Sequence, residues 1–460
     1  MWRRAVNIKM PSPRGLPLVG TTLALIAAGS APKVHEYIDM RHKQLGPVFR
    51  DTIGTVDAVF VANADEMRRL FSLEGKYPTH VLPEPWVLYN QMFGCKRGLF
   101  FMDGEEWLSV RRVMNKLLLK NDAMQSITPA CHKVATDLVT RWKTCSGREL
   151  HNLEGQLYRW SLDVLLAVLL GAQYEVQRHQ LEPAVHQLSL VVHRVFEESA
   201  KLSLIPARLA AKLHLSVWTN FVQTVDQALD GANRLVRQVV PLCEHGEGLL
   251  GRMLQEGIEL PDVIRIVADL ILAAGDTTAY STEWAMYLLA RNPKAQEELL
   301  KEVKETNSPE ETIQLPLLRG VLREALRLYP VAPFLTRFLP QDAHIAGYPV
   351  DTGTLVILSL YTSGRDADYF PEPTLFWPQR WLRNDSGVYT AVKSPYASMP
   401  FAMGARSCIG RKIAETQIML TLAQMVKNFK MELVNQEPIE MILRMVSVPS
   451  RPIRIWLTDR

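Results

Sequence analysis

The sequence predicts a mainly α protein with a small β region, and three observations support this fold class. Apolar residues recur at i, i+3, i+4 intervals through most of the first 330 residues, which is the spacing of amphipathic helices. Beyond Pro330, the stretch 343–361 is rich in β-branched residues and contains glycine turns, which indicates short strands. No Gly/Ser linker, repeat or low-complexity tract divides the 460 residues, so one large domain is the simplest organisation.

The elements are predicted in the following order along the chain. Helical spacing begins near Lys33, and a short β element with a turn at Gly54 is predicted for 48–62. Amphipathic helices then follow at 104–120, 122–144, 152–171, 180–200, 215–245, 261–291, 293–306 and 315–328. After the strands of 343–361, about forty residues of coil begin at Ser363, and a loop of that length is usually functional. A final helix at 410–430 precedes short strands near 442–457.

Charge and cysteine content exclude several classes of protein. The formal net charge is only +4 and the basic residues are scattered, so no nucleic-acid partner is predicted. The five cysteines are far apart, odd in number and without a CxxC pair. This pattern argues against a disulfide framework and against a zinc site, and it is typical of a reducing compartment.

The first 32 residues are predicted to be a basic, Pro-rich lead-in, with the folded domain extending over 33–460. The apolar stretch 16–31 is short and interrupted by Pro17 and Gly20, so it does not predict a membrane-spanning helix. The basic residues Arg3, Arg4, Lys9 and Arg14 precede the first acidic residue, Glu36, as in a mitochondrial presequence or its remnant. A short basic N-terminus is common, so this signal is weak by itself.

Cys408 is the residue on which the functional interpretation depends. It lies in the segment Phe401-Ala-Met-Gly-Ala-Arg-Ser-Cys-Ile-Gly410, between coil and the start of an apolar helix. A glycine-containing loop at a helix N-terminus offers backbone N–H groups that stabilise a thiolate, and a nearby arginine adds positive charge. The alternative is a buried structural cysteine, which the flanking Phe401, Arg406 and two glycines disfavour.

This segment matches every specified position of the haem-binding signature Phe-x-x-Gly-x-Arg-x-Cys-x-Gly. The chain therefore resembles the cytochromes P450. The resemblance implies a single-domain cytochrome P450 fold and a haem-thiolate monooxygenase that binds haem b. Cys408 would be the axial iron ligand, and electron donation by its thiolate favours O–O cleavage. Phe401 would shield the sulfur, and Arg406 would pair with a haem propionate.

Glu324 and Arg327 lie at i, i+3 in a predicted helix, and Arg380 follows in the coil. A lone Glu-x-x-Arg pair is most often a solvated helical ion pair. Because Arg380 and Cys408 follow it in order, the set resembles the Glu-Arg-Arg triad of the cytochromes P450. The resemblance implies a structural role, in which a buried charge network holds the coil near the haem.

Asp276 and Thr277 are the predicted catalytic residues. They lie in the middle of a predicted helix, within Ala273-Ala-Gly-Asp-Thr-Thr278, where an acid and a hydroxyl weaken a helix. The resemblance implies that a local opening of the helix admits dioxygen and water and that this pair relays protons. The common family pattern has glycine at the position of Ala274, whereas in this sequence the glycine is Gly275, one position later. A helix kink or cap without chemistry is the alternative.

Three further residues resemble haem-propionate ligands of the family. Trp107 and Arg111 lie at i, i+4 in the helix predicted for 104–120, and Arg337 follows the turn at 330–333. For the first pair the alternative is a surface cation–π contact. For Arg337 it is a charge at a strand edge.

Electrons are predicted to come from a partner protein, because the chain has no dinucleotide-binding glycine fingerprint and no cysteine quartet for an iron–sulfur cluster. Two basic pairs, Arg319 with Arg323 and Arg411 with Lys412, would steer an acidic partner. They resemble the docking residues of the mitochondrial P450 branch. The resemblance implies an adrenodoxin-like ferredoxin, with an NADPH-ferredoxin reductase upstream. A solvated basic surface is the alternative.

The segments 84–86 and 98–107 look most like those of arthropod ecdysteroid-forming enzymes. This likeness implies a steroid substrate, hydroxylated at C2 with dioxygen, and a mitochondrial enzyme on the matrix side of the inner membrane. Residues 202–213 mix apolar and basic side chains and predict either peripheral membrane contact or core packing. Other steroid or sterol hydroxylases of the branch, a haem-thiolate isomerase or dehydratase, and a non-catalytic haem-binding sensor are the alternatives.

Overall fold

The structure is a computed structural model, and it describes residues 9–203, 205–243 and 248–460. Arg3 and Arg4 of the predicted basic start lie outside the described residues. The chain forms two compact units, each assembled from separate stretches of sequence. The first unit contains the described residues up to Val81 with Ala332–Thr374 and Val392–Ser407, and the second contains Leu82–Val331, Leu375–Ala391 and Cys408–Arg460.

The helices and strands of the described residues have the following bounds. The helices are α1 Thr22–Ala27, α2 Val34–Leu45, α3 Ala64–Ser72, α4 Glu84–Phe93, α5 Gly104–Leu118, α6 Met124–Lys143, α7 Leu153–Leu170, α8 Gln173–Lys201, α9 Ala207–Lys212, α10 Ser216–Val239, α11 Gly248–Gln255, α12 Leu260–Arg291, α13 Pro293–Lys304, α14 Pro309–Thr312, α15 Pro316–Leu328, α16 Leu360–Ser363 and α17 Arg411–Asn428. The strands are β1 Val48–Ile53, β2 Val56–Val61, β3 Arg148–Glu149, β4 Phe334–Phe338, β5 Ala343–Ile345, β6 Tyr348–Val350, β7 Leu355–Ser359, β8 Phe429–Leu433, β9 Met441–Arg444, β10 Val446–Pro449 and β11 Ile455–Asp459.

The first unit is built on a four-stranded sheet in the order β1-β2-β7-β4. β1 and β2 form an antiparallel hairpin whose turn contains Gly54 at a positive φ of 62°, a conformation that glycine adopts without strain. β7 pairs parallel with β2 and antiparallel with β4. Phe49 and Phe60 face each other in the hairpin and stack with ring centroids 5.1 Å apart, which forms part of the buried face of the sheet.

The second unit is mainly helical, with α12 surrounded by other elements. Side chains on every face of α12 are buried, as expected of a helix within a core. Near its C-terminal end, Trp284 stacks on Tyr329 with ring centroids 3.8 Å apart. Two small antiparallel sheets, β3-β11-β8 and β9-β10, complete this unit.

The predicted class, mainly α with a small β region, is confirmed, and most predicted helices agree with the structure within a few residues. α8 begins seven residues before the predicted start at 180, because the burial of Tyr174 and Leu181 outweighs the hydrogen bond lost at Pro183. The prediction missed the short helices α3, α4 and α11, each of ten residues or fewer. Such helices span too few turns to give a clear spacing.

No helix within the described ranges has both the length and the hydropathy that crossing a bilayer requires.

Candidate active site

Cys408 lies two residues before Gly410, which is the N-cap residue of α17. The backbone N–H of Gly410 donates toward the Cys408 sulfur, and the positive charge of Arg111 on α5 acts on the same thiol. Desolvation raises the pKa of the Cys408 thiol, while Gly410 and Arg111 act in the opposite direction. Cys408 is therefore a soft sulfur donor beside groups that stabilise a thiolate, which suits an iron ligand.

The preceding part of the cysteine loop, with Phe401, Gly404 and Arg406, belongs to the first unit, where Glu74 fixes it. The buried Glu74 carboxylate accepts the backbone N–H of Ala405 at 2.6 Å. A Cβ at Gly404 would lie 2.0 Å from a Glu74 carboxylate oxygen, so this position requires glycine. The Arg406 guanidinium donates to the carbonyl oxygen of Pro78 at 2.9 Å.

Arg337 lies on β4, which is an edge strand of the four-stranded sheet, and its side chain is buried. Its Nε donates to the Glu74 carboxylate at 2.8 Å, and its Nη1 donates to the Thr336 carbonyl oxygen. Its Nη2 is buried and has no partner among the described residues. A guanidinium N–H that is buried without an acceptor costs free energy. An anion that accepts a hydrogen bond from it removes this cost, and a haem propionate is such an anion.

Trp107 and Arg111 are both buried in α5, with 1% and 6% of their surfaces exposed. Their alternative interpretation as a surface cation–π pair is therefore wrong. Arg111 is the residue whose charge acts on Cys408, which places one predicted propionate ligand near the predicted iron ligand within the second unit. Together with the sulfur of Cys408, these two residues of the second unit fit a haem.

The predicted triad is assembled and buried, since Glu324, Arg327 and Arg380 are each exposed by 1% or less. Arg327 forks onto the Glu324 carboxylate with bonds of 2.6 and 2.8 Å, and Arg380 Nε donates to the same carboxylate at 2.9 Å. The indole N–H of Trp381 donates to it at 2.8 Å. Glu324 is thus saturated with donors, and the interpretation as a solvated helical pair is wrong.

Asp276 and Thr277 lie in the middle of α12. The helix is continuous across 273–278, so the predicted local opening does not interrupt the helix in this described segment. Side-chain hydroxyls instead bond to its carbonyl oxygens: Thr277 donates to Ala273 at 2.7 Å, and Ser161 of α7 donates to Ala274 at 2.8 Å.

Gly275 lies one position after the usual glycine of the family pattern, and its position has a steric explanation. A Cβ at Gly275 would lie 2.2 Å from the hydroxyl oxygen of Tyr158, which packs against α12 from α7. Glycine is therefore needed at 275 for the close approach of these two helices.

Asp276 is buried, and its carboxylate lies 3.2 Å from Nδ1 of His193 on α8. Burial raises the pKa of Asp276. The sequence interpretation missed His193, because residues 193 and 276 are far apart in the chain and a lone histidine in a helix carries no recognisable pattern.

The predicted docking residues lie on the second unit. Arg319 is exposed and donates to the carbonyl oxygen of Ile313, while Arg323 donates to the hydroxyl of Tyr389. Arg411 pairs with Glu415 at 3.1 Å, and Lys412 donates to the side chain of Asn121. All four keep charged groups at least partly exposed to solvent.

Comparison with known proteins agrees with this site. The family model described as "Cytochrome P450" matches residues 10–457. The chain is similar to "Cytochrome P450 315a1, mitochondrial" of Drosophila melanogaster, with 40% identity over 99% of this chain and 89% of the relative. It is also similar to "Cytochrome P450 11B1, mitochondrial" of Ovis aries, with 32% identity over 90% of this chain and 85% of the relative.

A solved structure supports the fold independently of sequence. "Retinoic acid bound cyanobacterial CYP120A1" superposes with a TM-score of 0.78 over 98% of this chain and 99% of that one, at 20% identity. The predicted haem, held through a cysteine thiolate, and the predicted class of enzyme agree with these relatives. The chain belongs to the cytochrome P450 family, with relatives among the mitochondrial enzymes, and is a haem-thiolate monooxygenase.

Proposed function

We propose that this chain hydroxylates a steroid, an ecdysteroid precursor at C2, using dioxygen and electrons from an adrenodoxin-like ferredoxin. The single observation that carries the reaction type is the Cys408 thiol, which lies beside Gly410 and Arg111 at the start of α17. The similarity to "Cytochrome P450 315a1, mitochondrial" of Drosophila melanogaster over 99% of the chain supports the arthropod part of this assignment. So does the resemblance of 84–86 and 98–107 to the ecdysteroid 2-hydroxylase called shadow.

Cys408 is the proposed iron ligand, and Phe401 shields its sulfur. The proposed propionate ligands are Trp107, Arg111, Arg337 and Arg406. The buried Nη2 of Arg337 supports this role, because a propionate oxygen would accept a hydrogen bond from it. When bound, the haem supplies the oxidising chemistry that inserts one oxygen atom into a C–H bond of the substrate.

Asp276 and Thr277 are the proposed proton relay of this reaction. The burial of Asp276 and its contact with His193 support the role, because a buried carboxyl with a raised pKa accepts a proton more readily than an exposed one. The Thr277 hydroxyl, which donates to the Ala273 carbonyl oxygen, can hold and pass on a proton at its oxygen. An isomerase or a haem sensor would need neither group.

The proposed electron donor docks on the basic residues of the second unit, Arg319, Arg323, Arg411 and Lys412. Their solvent exposure supports this, since long-range attraction of an acidic partner needs exposed charge. An NADPH-ferredoxin reductase would supply the ferredoxin.

We place the enzyme on the matrix side of the inner mitochondrial membrane as a peripheral protein. Relatives with 40% and 32% identity bear mitochondrial names, which supports the compartment. Leu209 on α9 and Leu213 at its C-cap are 48% and 58% exposed beside the basic residues Arg208 and Lys212. An exposed apolar and basic helix of this kind suits contact with a membrane surface.

The test is incubation of the haem-loaded enzyme, ferredoxin and reductase with a panel of ecdysteroid precursors that lack single hydroxyls, followed by mass spectrometry. We expect one product with a hydroxyl added at C2. Oxidation at another carbon would assign the chain to a different steroid hydroxylase of the same branch. In Thr277→Ala, electron consumption should continue while product falls, and an unchanged product yield would contradict the monooxygenase relay.

A further inference from the structure

His193 connects three helices of the second unit. It lies on α8, and its imidazole Nδ1 is 3.2 Å from the Asp276 carboxylate on α12. On the other side of the ring, Nε2 is 3.6 Å from the carboxylate of Glu154 on α7. A single imidazole therefore bridges the proposed relay acid and a second carboxylate.

Solvent exposure increases from Asp276 through His193 to Glu154. The Asp276 side chain is only 2% exposed, whereas the side chains of His193 and Glu154 are 31% and 35% exposed. A buried carboxyl that hands on protons in every turnover must be reprotonated from solvent, and the first distance is within hydrogen-bond reach. The geometry thus links a buried proton donor to water through one titratable side chain.

The surroundings of His193 are acidic and fix the ring in place. Asp276 faces it from α12, Glu154 faces it from α7, and Glu197 lies one turn along α8. Tyr158 of α7 packs against the imidazole edge to face, with ring centroids 5.7 Å apart.

Glu154 and Glu197 also contact other residues. The hydroxyl of Tyr280 bonds to the same Glu154 carboxylate, and Arg444 of β9 lies 3.5 Å from Glu197.

This environment favours the protonated imidazole. The hydrogen bond to Asp276 raises the pKa of His193 above its usual value of 6.5, and the charges of Glu154 and Glu197 add to the effect. Histidine is the side chain that changes charge near neutral pH, so a modest rise keeps a transferable proton on the ring under physiological conditions.

We propose that His193 carries protons from solvent to Asp276 and orients that carboxyl for the relay. The imidazolium gives its Nδ1 proton to the Asp276 carboxylate, which becomes a carboxylic acid and can donate onward. The neutral ring then regains a proton from water or Glu154 at its exposed side. His193 acts through Asp276 as a positioning and proton-supplying residue, and this inference rests on the relay proposed above.

The first test compares His193→Gln with the native holoenzyme. Glutamine can still hydrogen-bond to Asp276 but cannot carry a proton. We expect unchanged haem loading and unchanged substrate affinity in spectral titrations. The product formed per electron pair consumed should fall about tenfold, less than the roughly 10²–10⁴-fold effect of a group that itself transfers the proton in the reaction, because His193 acts through Asp276. The solvent isotope effect on product formation should rise.

The pH profile separates proton supply from packing. In the native enzyme, the yield of product per electron pair should decline as pH rises through the pKa of His193, because the proton is present below that pKa and absent above it. The decline should disappear in His193→Gln. His193→Lys, which restores a proton-carrying cation, should recover part of the yield.

A second measurement does not depend on activity. The imidazole signals of the eleven histidines are followed by NMR during a pH titration, and His193→Gln identifies the signal that belongs to position 193. We expect a pKa above 6.5 that falls in Asp276→Asn, because the partner that stabilises the imidazolium is then neutral.

The outcomes distinguish this inference from the relay itself. If Asp276→Asn and Thr277→Ala lower product yield but His193→Gln does not, His193 has no role in proton supply and the relay stands. If all three leave the yield unchanged, the relay fails. A His193→Gln variant that raises only KM would make His193 a substrate contact and overturn the proposal, as would an imidazole pKa that does not respond to Asp276→Asn.

Discussion

Gly404 occupies a position where any side chain would meet a fixed carboxylate. The Glu74 carboxylate is held by Arg337 and by the Ala405 N–H, so it cannot move aside without leaving a buried guanidinium unpaired. The glycine of the cysteine loop is thus explained by a residue more than three hundred positions earlier in the chain.

We expect Gly404→Ala to lower the free energy of unfolding by about 2–4 kcal/mol, because left-handed backbone strain adds to the clash with Glu74. Gly353→Ala is the matched control in the same unit. Gly353 also has a positive φ, of 77°, but a Cβ there meets nothing within 4 Å, so a loss of only about 1 kcal/mol is expected. Urea unfolding measures both, and equal losses would mean that Glu74 is not the cause.

The proposed role of Cys408 as the iron ligand can also be tested with a single substitution. The carbon-monoxide complex of the reduced native protein should show the red-shifted Soret band of thiolate ligation, and Cys408→His should lose it, because imidazole donates less electron density to iron. Cys145→Ser, at another free cysteine, should keep the band. An unshifted band in the native protein would refute cysteine ligation.

At the scale of elements, the triad ties α15 to the coil that follows the small sheet. Its members come from Pro316–Leu328 and from the turn Pro378–Trp381, and five donors converge on one carboxylate: two from Arg327, and one each from Trp377, Arg380 and Trp381. Buried charged groups, rather than the backbone hydrogen bonds of a regular element, hold this coil in place.

Glu324→Gln should lower stability by about 3–5 kcal/mol, since it removes the negative charge that two buried guanidinium groups share. Glu432→Gln is the control, because Glu432 forms an ion pair with Lys430 in which both side chains are about half exposed. Such a surface pair contributes about 1 kcal/mol or less. Denaturant unfolding and haem retention are the measurements, and a small loss in Glu324→Gln would contradict the buried-network interpretation.

The docking surface proposed for Arg319 and Arg323 of α15 is also tested at this scale. Arg319→Glu with Arg323→Glu should slow ferredoxin-driven reduction by about tenfold at low ionic strength, because like charges then face an acidic partner. The difference should shrink as salt is added. Arg208→Glu with Lys212→Glu, on α9, should leave the reduction rate unchanged. Stopped-flow reduction kinetics give the comparison, and equal rates for both double variants would leave Arg319 and Arg323 as ordinary solvated residues.

For the whole molecule, haem and folding are thermodynamically linked. A ligand that binds only the folded chain stabilises it by an amount set by its concentration and Kd, about 2.7 kcal/mol at one hundred times Kd. Removal of haem should therefore lower the free energy of unfolding by at least about that amount. Urea titrations of the haem-free and reloaded protein measure the difference, and coincident curves would show that haem contributes nothing to folding.

The sequence by itself determined the class of fold, the cysteine signature and the order of the triad residues. Each of these features depends on residues that are close in the chain or on helical spacing, and both can be identified from the sequence pattern. The long helices and the hairpin at Gly54 were predictable for the same reason.

Only the tertiary structure decided the partners of those residues. Glu74 beside Gly404, Tyr158 beside Gly275 and His193 beside Asp276 each join positions far apart in sequence. Their proximity follows from how helices and strands pack, and no local periodicity encodes packing between distant elements. The sequence therefore identified the candidate reacting residues, whereas the packing of the chain determined which side chains contact them.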